Sequence, residues 1–155
     1  LLGGLHNLGG ITAPAFNNHK LKNMKSDCEL VALKNNIEFK WNSKFPQNSL
    51  YLMRGYLVIQ NNVKEKFFEL CFNAYWKNDE DIADEKNINK ILDLVDQDKN
   101  DFLRKIENKK IKEMLKKLTS DAFEKDIFGA PTFVIDNKIF WGQDRLDYAL
   151  EEYYS

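Results

Sequence analysis

The chain offers almost no sulfur or imidazole chemistry. Its 155 residues include two cysteines, Cys28 and Cys71, far apart and in no Cys-x-x-Cys pair. Both fall on apolar positions of helical patterns. They read as small core residues of a reducing compartment rather than as a disulfide or a catalytic thiol. Histidine is equally scarce. His6 and His19 cannot join these cysteines in a zinc site, which needs about four ligands at suitable spacing. Charge of one sign is lacking too. There are 23 Lys+Arg against 24 Asp+Glu, for a formal net charge of −1, so no basic surface is expected that would attract nucleic acid. No apolar run approaches the ~20 residues of a membrane span. The opening Leu1-Leu2-Gly3-Gly4-Leu5 has neither a basic leader nor a cleavage site and does not read as a signal peptide. A cytoplasmic protein without nucleic-acid or membrane partners is expected. What is present suffices for a packed core: 43% hydrophobic and 13% aromatic residues in a length that fits one domain, or one domain with an insertion. The abundance of Lys and Asn reads as codon bias and points to no function.

Along the chain, residues 1–16 are rich in Gly, Ala and Pro and read as loop. Leu21, Met24, Cys28 and Val31 recur at three- and four-residue steps and predict a helix ended by Asn35-Asn36. Residues 37–41 suit a short strand. Phe45-Pro46 is a turn, and Asn48 or Ser49 caps the next helix, striped by Leu50, Met53 and Leu57. Val63, Phe67, Leu70, Cys71 and Ala74 line one face of another. Residues 78–84 form an acidic loop. Ile88, Ile91, Leu92 and Val95 mark a helix broken by residues 98–101, with Asp101 a candidate cap. Ile111, Met114, Leu115 and Leu118 stripe a helix running to about Phe128. These stripes read as core. After Gly129-Ala130-Pro131 the pattern changes. Residues 132–135 and 138–140 suit strands joined by Asp136-Asn137, residues that tolerate positive φ. Gly142 breaks the second strand. Leu146, Leu150 and Tyr153 define a last helix beginning near Gln143 or Asp144.

Three segments carry a resemblance to a known family. The first is Phe128-Gly129-Ala130-Pro131-Thr132-Phe133-Val134-Ile135-Asp136 with Phe140-Trp141-Gly142-Gln143-Asp144-Arg145. The second runs from Leu2-Gly3-Gly4-Leu5 through Gly9-Gly10 to Ala13-Pro14, then Lys20 and Asp27. The third is Phe45-Pro46-Gln47-Asn48-Ser49-Leu50 with Met53-Arg54, and later Asp79-Glu80-Asp81-Ile82. In residues and order they resemble the 2-hydroxychromene-2-carboxylate isomerase and class-kappa glutathione transferase family. The resemblance implies an α/β fold: a mostly helical, DsbA-like arrangement in which a thioredoxin-like domain carries a large helical insertion. Residues 1–46 would be its N-terminal remnant and linking helix, 47–127 the insertion, and 128–155 the closing β-β-α. The opening strand-helix of such a fold is expected to lie before Leu1.

The resemblance also implies a glutathione-dependent isomerase acting on a small aromatic hydroxychromene-carboxylate, in a bacterial homodimer. A class-kappa-like transferase and a DsbA-like thiol-disulfide oxidoreductase are the alternatives. Phe-Trp-Gly-Gln-Asp-Arg favours the isomerase branch. In such folds the proline resembling Pro131 is cis, and the backbone of Ala130 would pair with the cysteinyl part of glutathione. An ordinary helix-stopping proline is the other reading of the spacing. Gln143 and Asp144, at a helix start whose amides favour a carboxylate, would hold the γ-glutamyl end. Asp144 can equally cap the helix, and Arg145 either braces the site or lies on the surface. Lys20 aligns, across a one-residue loop insertion, with a lysine holding the anionic portion of the tripeptide. Gly10-Ile11 stands where the family has Gly-Asn. Trp141 would wall the aromatic substrate and Asn48 contact it, although packing and capping account for both. The serine that stabilises the thiolate in the family belongs before Leu1. Ser26, Ser43, Ser49, Ser120 and Ser155 do not match it, no catalytic residue is assigned, and the 155 residues alone are expected to be inactive.

Overall fold

The computed structural model describes residues 1–12 and 17–155; Ala13-Pro14 of the second motif segment lies outside them. Contacts divide the chain into two compact units. One combines Leu1–Ala13 with Lys116–Ser155, and the other is Pro14–Leu115. The three sequence segments describe chain order and the two units describe packing, so the two divisions answer different questions.

The contiguous unit is helical. Helices α2 (Asn18–Lys34), α3 (Leu50–Val58), α4 (Lys64–Trp76), α5 (Glu85–Leu94) and α6 (Lys99–Ile106) follow one another, preceded in chain order by α1 (Leu2–Leu8) of the other unit. Asn17 caps α2 by accepting the Lys20 amide at 3.0 Å. Leu21, Met24, Cys28 and Val31 are its half-buried face, as the periodicity predicts. In α3 the expected stripe is rotated. Leu52, Gly55 and Ile59 are buried while Met53 is exposed, because Gly55 accommodates the rings of Phe102 and Phe67. These rings join Leu92, Ile106, Ile88 and Ile91 in the core. Residues 98–108 depart from the sequence pattern. Asp98, rather than Asp101, caps α6 by accepting the Asp101 amide at 2.7 Å. A break at Glu107-Asn108 then separates α6 from α7 (Lys109–Phe123).

Residues 37–41 form no strand. No strand lies beside them among the described residues, and the segment is held by aromatic packing instead. The Lys40 amide donates to the Trp76 carbonyl at 2.7 Å. The Phe39, Trp41 and Phe45 rings all lie within 5.8 Å of the Trp76 ring, centroid to centroid. Phe45–Pro46 is cis. The acidic loop clasps this segment. Asp79 accepts the Ser43 amide at 2.6 Å and pairs with Lys40 at 3.0 Å; Asp81 pairs with Lys44 at 2.6 Å.

The Ser43 amide first, then Lys40, holds the Asp79 carboxyl down from an ordinary 3.8 to about 2. A depressed carboxylate contributes stability above its unfolded value that is lost as pH falls through the folded one. Asp79→Asn is therefore expected to melt lower than wild type near neutrality. The gap should close between about pH 4 and 2, the window of that shift. Melts recorded from pH 7 to 2 check it; a gap that persists at pH 2 would assign the effect to shape rather than charge.

The second unit contains α1, the C-terminal part of α7, a hairpin and α8 (Leu146–Tyr154). α1 replaces the expected loop. Glycine disfavours helix by ~1 kcal/mol per residue, yet Leu5 is buried and the Leu1 nitrogen donates to Thr119 Oγ1 at 2.9 Å. Tertiary packing overrides the propensity. α7 ends at Phe123, five residues before Phe128. Asp126 has φ of 58°, and the Ile127 amide turns back to the Ala122 carbonyl at 3.1 Å. Strands β1 (Thr132–Ile135) and β2 (Lys138–Trp141) pair antiparallel, Ile135 opposite Lys138 and Thr132 opposite Trp141. Asp136 and Asn137 take positive φ, 46° and 68°, which matches the twist of a two-residue hairpin. α8 packs on the hairpin; Ala149 is its buried residue, and Glu152 pairs with Lys138 of β2 at 2.6 Å. The expected stripe is turned outward: Leu146, Leu150 and Tyr153 are exposed. No helix among the described residues is long and apolar enough to cross a membrane.

Candidate functional site

The hairpin unit brings five of the seven candidate residues together. Ala130–Pro131 is cis, as the resemblance implies. The Pro131 carbonyl accepts the Gly142 amide at 3.0 Å. This bond extends the β1–β2 ladder by one step and sets the residues after β2 beside those before β1. Gly142 has φ of 103°, a conformation that favours glycine. A Cβ there would also sit 2.5 Å from Asp144 Oδ1, so the Asp144 carboxylate folds back over a position left bare.

Gln143 and Asp144 lie in a one-turn 3₁₀ helix, Gln143–Arg145, and the α-helix proper begins only at Leu146. The expected helix start is thus displaced by one tight turn, because the Arg145 amide bonds the Gly142 carbonyl at 3.2 Å. The Gln143 and Asp144 amides take no partner among the described residues. Neither do the amide and carbonyl of Ala130. Both stretches are exposed, so these four main-chain groups face solvent. The Asp144 carboxylate pairs with Arg145 Nη1 at 2.8 Å, and the guanidinium lies 5.8 Å from the Tyr148 ring centroid. Trp141 stands over Gly129, where a Cβ would meet the indole Nε1 at 2.4 Å. Its ring packs edge-on to Phe128 at 5.1 Å and remains 54% exposed.

Lys20 and Asn48 belong to the helical unit. Lys20 is exposed on the first turn of α2, and its side chain makes no ion pair among the described residues. Asn48 Oδ1 accepts the Leu50 amide at 3.0 Å, so Asn48 rather than Ser49 satisfies the first turn of α3. Its Nδ2 takes no partner among the described residues.

The cysteines offer no thiolate. Both are free. Burial pushes the Cys71 thiol up to about 12. Burial, then Asp27 and Glu29, raise that of Cys28. Sequence reasoning missed Asn42 and the amide partnership of Gln47. Asn42 is buried, but a polar residue between aromatics carries no periodic signal.

Comparison with known proteins follows this geometry. A family model described as the DSBA-like thioredoxin domain matches residues 1–154. A 2-hydroxychromene-2-carboxylate isomerase of Sphingobium xenophagum is 26% identical over 134 residues, 86% of this chain and 68% of that protein. The solved structure of a 2-hydroxychromene-2-carboxylate isomerase superimposes with a TM-score of 0.85, covering 97% of this chain and 74% of that one at 21% identity. At that identity the likeness is one of fold. A match over nearly the whole length places the chain in the DSBA-like thioredoxin domain family.

Proposed function

We propose that the chain belongs to an isomerase of the 2-hydroxychromene-2-carboxylate type, using glutathione as its thiol cofactor. The observation that carries the reading is the juxtaposition of Ala130 with Gln143-Asp144 through the Pro131–Gly142 bond. The residues present fit the tripeptide. The free amide and carbonyl of Ala130 suit the cysteinyl backbone, which would add to the β1 edge as an extra strand does. The free amides of Gln143 and Asp144 suit the γ-glutamyl carboxylate. The Asp144 carboxylate suits the ammonium, displacing Arg145 from an exposed ion pair worth only ~0–1 kcal/mol.

When bound, glutathione supplies the thiol nucleophile that cis–trans isomerisation about a conjugated double bond calls for. The protein orients it and meets its charges. Trp141 offers an aromatic face to the substrate. Asn48 offers a donor to a substrate oxygen. Lys20, in the helical unit, is an exposed cation for an anionic group.

Calorimetric titration tests the cofactor. Saturable binding of glutathione is expected, with none of the dipeptide Cys-Gly, which lacks the γ-glutamyl end. Equal binding of both would place the recognition elsewhere, and no binding of either would remove glutathione from the reading.

A further inference from the structure

Asn42 is 1% exposed, and both ends of its side-chain amide are in use. Nδ2 donates to the carbonyls of Tyr75 and Glu80, each at 3.0 Å. Oδ1 accepts from the Lys44 amide at 2.9 Å and from Gln47 Nε2 at 2.7 Å. Gln47 continues the network. Its Oε1 accepts the Ile82 amide at 2.8 Å, and its own amide donates to the Tyr75 hydroxyl at 3.3 Å. Two side-chain amides thereby tie residues 42–47 to the C-terminal end of α4 and to residues 80–82. Buried networks satisfied in this way rigidify the backbone they join, and a half-satisfied one costs more than none.

The residue after Gln47 is Asn48. Its Oδ1 accepts the Leu50 amide, and the two N–H groups of Nδ2 take no partner among the described residues. The chain that presents them is anchored one residue upstream by Gln47 and two residues downstream by the start of α3.

We infer that the Asn42–Gln47 amide pair is a positioning device for Asn48, holding its Nδ2 as a hydrogen-bond donor to a carboxylate or carbonyl oxygen of the aromatic substrate. The inference rests on the reading of Asn48 as a substrate contact. It deepens that reading by naming the residues that hold Asn48 in place and the donor that it presents. Gln47 acts through Asn48 and touches no substrate.

The test uses 1-hydroxy-2-naphthoate as a non-reacting aromatic carboxylate, titrated against wild type, Asn48→Asp and Gln47→Met. Amide hydrogen exchange of residues 46–52 and 82 is followed in parallel. Asn48→Asp keeps the acceptor for the Leu50 amide but cannot donate and repels an anion. It is expected to weaken the naphthoate at least tenfold with Leu50 exchange unchanged. Gln47→Met keeps length but loses all three side-chain hydrogen bonds, to Asn42 Oδ1, the Glu80 carbonyl and the Ile82 amide. It is expected to weaken the naphthoate several-fold and to speed exchange at Leu50 as well as Ile82. No binding by wild type, or equal binding by Asn48→Asp, overturns Asn48 as the contact, and the positioning role falls with it. Unchanged affinity in Gln47→Met, beside a weakened Asn48→Asp, overturns the positioning role alone, even if Gln47→Met melts lower. Unchanged Leu50 exchange in Gln47→Met overturns the anchoring.

Discussion

Asp144→Ala is expected to abolish calorimetrically measurable glutathione binding without lowering the melting temperature. The carboxylate is an anion next to the free amides of residues 143 and 144, and an ammonium is the one cation glutathione carries. A hydrogen bond to a charged group contributes ~1.5–3 kcal/mol, which is roughly ten- to a hundredfold in Kd. Asp144→Asn keeps the shape that lies over Gly142 and loses the charge, so it should fall between wild type and Asp144→Ala. Arg145→Ala separates ligand pairing from local bracing. Arg145 occupies Asp144 Oδ2 at 2.8 Å, and an ammonium must displace it. Its removal is expected to leave affinity unchanged or improved. If Arg145→Ala and Asp144→Ala weaken glutathione equally, the ion pair braces the turn and the ammonium binds elsewhere. If Asp144→Ala binds as wild type does, the γ-glutamyl assignment is lost.

The second large effect lies in the helical unit. A Cβ on Gly55 would stand 2.6 Å and 2.8 Å from two Phe102 ring atoms and 3.1 Å from the Phe67 ring. Both phenylalanines are fully buried and cannot swing aside. Overpacking of this kind costs ~1–3 kcal/mol, offset by the ~1 kcal/mol by which alanine exceeds glycine in a helix. Two contacts under 3.0 Å call for the upper end of that range, so a net loss of about 2 kcal/mol is expected, which lowers the melting temperature by roughly 4–8 °C for a chain of this size. Gly55→Ala with Phe102→Leu should recover part of it, since the smaller side chain removes the ring the new methyl meets. Gly3→Ala serves as the control: nothing lies within 4 Å of a Cβ there, so only the propensity gain remains. Equal melting of Gly55→Ala and Gly3→Ala would show that the core yields at α3.

That same glycine explains where sequence reading failed. Leu52, Gly55 and Ile59 repeat at helical spacing, but glycine carries no apolar signal, so the periodicity points to Leu50, Met53 and Leu57 instead. Legibility was high where a rule is local. Asn48 as a cap, the half-buried face of α2, the buried face of α5 and the Asp136-Asn137 hairpin turn all follow from side chains interacting within a few residues. It was low where distant packing decides. α1 forms despite two glycines because Leu5 finds a buried place. Residues 37–41 are β-prone, yet the described residues offer them no neighbouring strand, and Trp76 holds them instead. The stripe of α8 is genuine as a pattern, but Ala149 is the residue that is buried. For the site, the motif placed Ala130, Pro131, Trp141, Gln143 and Asp144 on adjoining turns. It could not reveal that Gln143 and Asp144 occupy a 3₁₀ turn, nor that a buried asparagine organises the approach to Asn48.

The division of the chain has a consequence for the order in which it folds during synthesis. The helical unit, Pro14–Leu115, is continuous in sequence, whereas the hairpin unit is assembled from both ends. A ribosome adds about 5–20 residues per second, so the 40 residues of Lys116–Ser155 emerge about 2–8 s after Leu115. Helix contacts within the first unit form in far less time than that. The hairpin that carries Ala130 and Asp144 must wait for α8, because four-residue strands in a lone hairpin are marginal without a helix to pack on. The candidate glutathione turn therefore forms after the helical unit has had time to fold.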